Sequence, residues 1–242
     1  MIRKRALDRV EYKCWRAGCG LKGVVDNVGS FVAPSPWEET ANTTSIETYH
    51  RTFNKPTKPV GIDGYDYFRE KFDMDADDLR EGEVTYSVTD NRYVFPVYSP
   101  QWVLRGRTCR TFDPRVQPKW DSYPVTGNPT WLGWYIRPYV THNGGPVVVV
   151  EDPISSLKAS RVFMSCFLNG TDLSIDKVAE ILKVGERNGV VFALDADATA
   201  KAIQMLDQWK FFLGGKANCV PLSQDIKYMS TKEIHDLVLE NR

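Results

Sequence analysis

The sequence predicts an α/β chain in which a mostly parallel sheet flanked by helices follows a smaller, strand-rich α+β subdomain of basic character. Three observations carry this. After the turn residues His142-Asn143-Gly144-Gly145-Pro146, short apolar runs alternate with stretches of helical periodicity, the pattern of a parallel sheet with crossover helices. Residues 84–140 are rich in Trp, Tyr and Pro and contain β-prone runs. The composition, 42% hydrophobic and 26% charged over 242 residues, is ordinary enough to build a sizeable core and excludes a disordered, collagen-like or low-complexity chain.

Residues 34–60 are rich in Thr, Asn, Ser and Pro and read as loops or a linker. The runs TYSV, RYVFPVYS and WLGWYI read as strands, and Pro96 and Pro138 place them at edges or in a small mixed sheet. Val147–Glu151 is an apolar strand ending in acid, and a helix begins at Pro153 and runs to about Arg161, with proline in its first turn. Val162–Leu168 is a second strand and Asn169-Gly170 a turn. Ser174–Val184 has apolar residues at helical spacing behind a serine cap. Val190–Leu194 is a third strand, again ending in acid at Asp195. Ala198–Leu213 is helical up to Gly214-Gly215, Cys219–Leu222 is a fourth strand, and Thr231–Glu240 is a closing helix.

Charge is balanced overall, with 31 basic and 31 acidic residues, but not locally. Residues 1–22 carry seven basic and two acidic side chains, 61–83 nine acidic and three basic, and 102–120 five basic and one acidic. Zero net charge therefore does not exclude a polyanionic partner, because two basic segments can make one face positive. No apolar run approaches the ~20 residues of a membrane-spanning helix, and the basic start lacks a signal-peptide apolar region. The five cysteines are an odd, scattered set rather than a disulfide framework, so a cytoplasmic chain is expected.

In open α/β sheets ligands bind beyond the carboxyl ends of the strands. Glu151 stands at one such tip, and Asp195 and Asp197 at another, two residues apart and so on one face of an extended backbone. Three converging carboxylates are hard oxygen donors suited to Mg²⁺ (or Mn²⁺). Taken singly, an Asp-x-Asp pair is as consistent with a solvated loop, and Glu151 with a cap for the helix near Pro153.

The segments VVVVEDPISSLKAS, VFMSCFLNGTDLS and VVFALDADATAKAI together resemble the Toprim domain of primases, topoisomerases and related nucleases, over roughly residues 146–242. The resemblance implies that Glu151 is a general acid/base and that Asp195 and Asp197 bind Mg²⁺, all three being catalytic. One departure is local: where phage and bacterial primases follow the glutamate with glycine and then a further aspartate, this chain has Asp152 and then Ser155 and Ser156. Upstream, Arg92, Phe95-Pro96, Gly106-Arg107 and Pro118-Lys119-Trp120 are similar to the basic subdomain of the primase polymerase core. The resemblance places Arg105, Arg107, Arg110, Lys119 and Lys158 at nucleic-acid or nucleotide phosphates, with Trp102 or Trp120 available to stack on a base. VEYKCWRAGCGLKG resembles half of a phage primase zinc ribbon, with Cys14 and Cys19 as one ligand pair for Zn²⁺; the other two ligands of a closed site are not evident. PLSQDIKYMSTKEI is similar to the primase tail, with Asp225 and Lys227 in its Asp-x-Lys.

These likenesses divide the chain into a partial zinc-ribbon-like N-terminus (1–30), a basic primase-core subdomain (31–145) and a Toprim domain (146–242). They imply a phage-like DNA primase that uses ribonucleoside triphosphates on single-stranded DNA. No G-x-x-x-x-G-K-[ST] loop is present, so a separate replicative helicase is expected. Two other readings share the same acids: a Toprim-family nuclease, and a degenerate primase that only binds single-stranded DNA.

Overall fold

The computed structural model describes strands within residues 3–26 together with residues 56–124, 131–137, 140, 144–170, 172–213 and 215–241. The chain divides into two compact units, Met1–Asn42 and Thr43–Arg242. In the first, β1 (Arg3–Ala6), β2 (Arg9–Lys13) and β3 (Lys22–Asp26) form an antiparallel sheet with β2 central. Cys14 and Cys19 lie outside the described residues, and with them the expected zinc knuckle.

The second unit holds two five-stranded sheets. The first is antiparallel, ordered β4 (Thr57–Pro59), β5 (Thr85–Ser87), β6 (Arg92–Tyr98), β7 (Leu104–Arg110), β8 (Trp120–Pro124). Pro96 lies in its central strand rather than at an edge. β5 pairs with β6 only as far as Val94, so Pro96 sits beyond the end of that ladder, where a missing N–H is tolerated. Gly106 of β7 has no room for a side chain: a Cβ there would stand 2.3 Å from the Trp131 ring and 2.5 Å from the Tyr123 carbonyl oxygen.

Between β4 and β5 the acidic run 61–83 folds as α1 (Ile62–Phe72) and α2 (Ala76–Glu81), two helices hidden from composition by their charge. Phe68 and Phe72, one turn apart, bury one face of α1. Asp75 caps α2 and forms a reciprocal capping box with Asp78.

The second sheet is ordered β13-β12-β10-β11-β9. β10 (Val147–Val150), β11 (Ser165–Phe167), β12 (Val190–Phe192) and β13 (Ala217–Cys219) are parallel, and β9 (Gly133–Tyr135) closes one edge antiparallel. The helices are α3 (Pro153–Ala159), α4 (Ile175–Gly185), α5 (Thr199–Leu213) and α6 (Thr231–Glu240). Ser174 caps α4 as expected, while α6 is capped by Ser230, one residue before the expected start, in a capping box with Glu233. The strand expected at 219–222 begins two residues earlier, and that expected at 162–168 is cut to three residues because a turn follows α3.

Every residue of β10 is buried, as the central strand of a sheet covered on both faces requires. On one face, Val148 and Val150 pack with Leu157, Ile234, Phe95 and Phe68, so the antiparallel sheet, α1, α3 and α6 share one core. On the other, Val147 and Val149 pack with Val178, Ile181, Phe192 and Met205 beneath α4 and α5.

Helix α3 is buried along its whole length. Its Lys158 is 0% exposed and cannot meet a phosphate, contrary to expectation. The ammonium instead donates to the carbonyls of Phe72 (2.6 Å) and Asp73 (2.9 Å) and to the Asp73 carboxylate (2.8 Å), satisfying the C-terminal end of α1. Asp78 of α2 is held in parallel by Arg137 (2.7 Å) and Arg161. Lys158→Met should therefore lower unfolding free energy by about 2–4 kcal/mol, since it strands buried carbonyls. Urea denaturation of the two proteins checks this; a loss under about 0.5 kcal/mol, the range of ordinary surface substitutions, would contradict the bridging role.

Candidate active site at the strand tips

The parallel register sets Val149 beside Phe192, and the Ala193 N–H donates to the Val149 carbonyl at 2.9 Å. The two strands therefore end level, which brings Glu151 to the mouth of the sheet beside Asp195. β13, paired through Cys219 with Phe192, delivers the following segment and its tight turn Ile226–Tyr228 to the same edge.

Asp152, the residue that departs from the primase pattern, is the N-cap of α3. One carboxylate oxygen accepts from the N–H groups of Ile154 (2.8 Å) and Ser155 (3.0 Å). Asp152, not Glu151, thus caps this helix, and Glu151 is left for other work. The second Asp152 oxygen accepts from Lys227 Nζ at 3.0 Å. The same ammonium reaches Asp195 Oδ2 at 3.0 Å and Asp225 Oδ2 at 2.7 Å. Lys227 is therefore the centre of the constellation. Its only sequence signal is the Asp-x-Lys spacing, which does not say that the lysine turns inward.

Burial pushes the Glu151 carboxyl above its usual range, reinforced by Asp195, Asp152 and Asp197 and opposed by Lys227. Asp195 is pushed up to about 6, by burial first and then by Asp152, against the pull of Lys227. Burial also acts on Asp225, yet its bond to Lys227 holds it below the usual range. Burial disfavours the Lys227 charge, and the surrounding carboxylates outweigh it, so the group stays an ammonium well above ordinary lysine basicity. Asp197 stands exposed on the turn Ala196–Ala198.

Among the described residues no three His, Cys, Asp or Glu side chains are gathered into a finished cation cage. The donor chemistry of Glu151, Asp195 and Asp197 is nonetheless all oxygen, and their mutual repulsion leaves negative charge that a hard cation would relieve.

Glu151, Asp152 and Pro153 line a cavity of about 170 Å³ with Asn169 and Gly170 from the turn after β11, and with Thr108, Trp120 and Ser122 from β7 and β8. Gly170 has φ +123°, a conformation side chains rarely adopt, in the turn that forms this wall. The cavity thus joins the acidic tip of β10 to the hydroxyls and indole of the other sheet.

The cations expected at nucleic acid are placed differently. Arg105 is buried and bonded to Glu180 at 2.7 Å, which also accepts from the Trp134 indole at 2.6 Å, so this guanidinium is structural. Arg107 lines another cavity, of about 270 Å³, with Tyr65, Arg80, Glu83 and Tyr98. Arg110 lies 4.6 Å over the Trp120 ring, a cation–π contact that steadies this cavity wall. Lys119 is exposed, and its carbonyl accepts from Arg92. Trp102 is also exposed, at the turn between β6 and β7.

No protein-family model matches this chain, and no curated protein matches it in sequence. Solved structures do match in fold. The zinc-binding and RNA polymerase domains of Aquifex aeolicus primase superpose with a TM-score of 0.54 at 16% identity, covering 85% of this chain and 57% of that one. The chain has a bacterial-type primase-like fold. The RNA polymerase domain of Mycobacterium tuberculosis primase gives a TM-score of 0.53 at 15% identity, over 83% of this chain and 75% of that one. A DnaG primase catalytic domain bound to single-stranded DNA gives 0.52 at 15%, over 82% and 72%. The chain thus spans little more than half of the Aquifex structure. At these identities the likeness to primase is one of fold.

Because Asp195 binds its proton more tightly in the folded chain than unfolded, folding stability falls as pH rises from about 4 towards about 6 and the penalty persists above. Asp195→Asn should remove it and stabilise the protein by about 2 kcal/mol at pH 7.5, with the gain gone below pH 4. Thermal denaturation across pH 3.5–8 is the check, and a variant less stable at pH 7.5 would refute the carboxylate strain.

Proposed function

We propose that this chain is a DNA primase, a Toprim-type nucleotidyltransferase that joins ribonucleotides on single-stranded DNA with Mg²⁺ or Mn²⁺ on Glu151, Asp195 and Asp197. One observation carries the reading: in a primase-like fold, the acidic tip of β10 and the Thr108–Trp120–Ser122 wall of a second sheet meet around Glu151 in one cavity. The primer 3′-hydroxyl oxygen attacks the α-phosphorus of the incoming ribonucleoside triphosphate, a new P–O bond forms and pyrophosphate leaves. Glu151 would take the hydroxyl proton on the oxygen it does not give to the metal. A bound metal supplies neutralisation of the triphosphate charge. Lys227 fixes Asp195, and Trp120, held by Arg110, offers an aromatic surface at the cavity wall. Lys119 and Arg107 remain candidates for phosphate contact, whereas Arg105 and Lys158 are committed to buried pairs. A separate replicative helicase and a cytoplasmic setting, that of the host if the chain is viral, belong to the same reading.

One observation favours a non-catalytic reading, a single-stranded-DNA-binding factor: the ammonium already seated on Asp195 relieves part of the charge a metal would neutralise.

Primer synthesis with labelled ribonucleotides on a mixed single-stranded template, with Mg²⁺, decides. Wild type should make short RNA, Asp195→Ala should make none, and Glu151→Gln should be slower by about 10²–10⁴-fold. RNA made equally by Asp195→Ala would sink the assignment, template degradation would indicate a nuclease, and binding without synthesis, even with host extract, the binding factor.

A further inference from the structure

The five carboxylates at the strand tips fall into two halves. In one, every oxygen facing the cluster is engaged: Asp152 Oδ1 caps α3 and its Oδ2 accepts from Lys227, while Asp225 Oδ1 accepts from the Ala196 N–H at 3.3 Å and its Oδ2 from Lys227 at 2.7 Å. Asp195 gives one oxygen to the same ammonium. An ammonium has three N–H bonds, and Lys227 directs them at three carboxylates. Its side chain is 6% exposed and rises from the turn Ile226–Tyr228, whose Ile226 is anchored in the core, so the charge cannot swing out to solvent without breaking that packing. In the other half, Glu151 and Asp197 accept no hydrogen bond among the described residues.

We propose that Lys227 is a built-in cation occupying one half of the carboxylate cluster in place of a metal ion, so that the site takes a single divalent cation, on Glu151, Asp195 and Asp197. A second divalent ion would meet a positive charge about 3 Å from the oxygens it needs and would find those of Asp152 and Asp225 already engaged. The lysine also holds the Asp195 carboxylate by Oδ2, which makes it a positioning residue for the metal. This rests on the metal-dependent reading above and deepens it.

Mn²⁺ titration of the full chain followed by electron paramagnetic resonance counts the bound ions without recourse to activity. Wild type should bind a single Mn²⁺, lost in Glu151→Gln/Asp197→Asn. Lys227→Met, with its fold checked by circular dichroism, should bind a second ion or hold the first at least about tenfold more tightly. Two ions of similar affinity on the wild-type chain would overturn the inference while leaving the metal-dependent reading standing. No bound Mn²⁺ would overturn both. The wild-type count stands as a test even if Lys227→Met fails to fold, and Lys227→Arg, which keeps the charge, should bind no second ion; a second ion there would also overturn the proposal.

Discussion

A single buried ammonium ties together the elements that make this site. Lys227 joins the cap of α3, the tip of β12 and the turn after β13 through three carboxylates, and each of those carboxylates would otherwise repel the others in a half-dry setting. A lone ion at that depth would be costly, and so would the acids without it, so the arrangement holds only as a set. The level ends of β10 and β12 follow from valine register, but the angle at which Asp152 and Asp195 face one another depends on this bridge.

The same logic recurs on the far end of α3. A helix with no exposed residue must satisfy its polar groups internally, and Lys158, Ser156 and Ser160 do so by reaching α1, β11 and the preceding turn of their own helix. Of the two buried lysines near the ends of the β10–α3 unit, Lys158 ties α3 to the end of the acidic helix α1, while Lys227 ties together the acidic segments at the parallel sheet's own edge. The core that the two sheets share sets β7 and β8 opposite the tip of β10, so Glu151 faces a cavity wall in place of open solvent. Function, on this view, depends on burial at one remove from the reacting groups.

The chemistry of the site reflects a conflict between stability and use. Asp195 is held at a proton affinity that folding alone does not favour, and Glu151 is raised for the same reason. A cation on these carboxylates would relieve strain of this kind. The neighbouring Asp225 is pulled the other way by the same lysine, so adjacent carboxylates carry opposite shifts from a shared charge.

Much of the second sheet was legible because four valines, a Pro after an Asp and a Ser cap are local signals: alternation of apolar runs and helical spacing needs no knowledge of distant partners. Glu151 and Asp195 were legible as acids just past strand ends for the same reason, whereas Asp197, expected to share a face of extended backbone with Asp195, lies on the turn Ala196–Ala198. The helices α1 and α2 were not, since nine acids among 23 residues mask Phe68, Phe72 and Leu79, whose burial is decided by packing on another sheet. Nor could charge alone sort the cations. Arg105, Lys158 and Lys227 are as basic in sequence as Lys119, yet the first three are buried against Glu180, the end of α1 and the acidic tips, while Lys119 meets water. By itself the sequence determined where strands end in acid and which residues can cap a helix, because those are properties of a few neighbouring residues. Only the tertiary structure decided which charge is structural, which carboxylates Lys227 engages and which wall faces Glu151, because these depend on contacts between segments dozens of residues apart and on the dielectric that their packing creates.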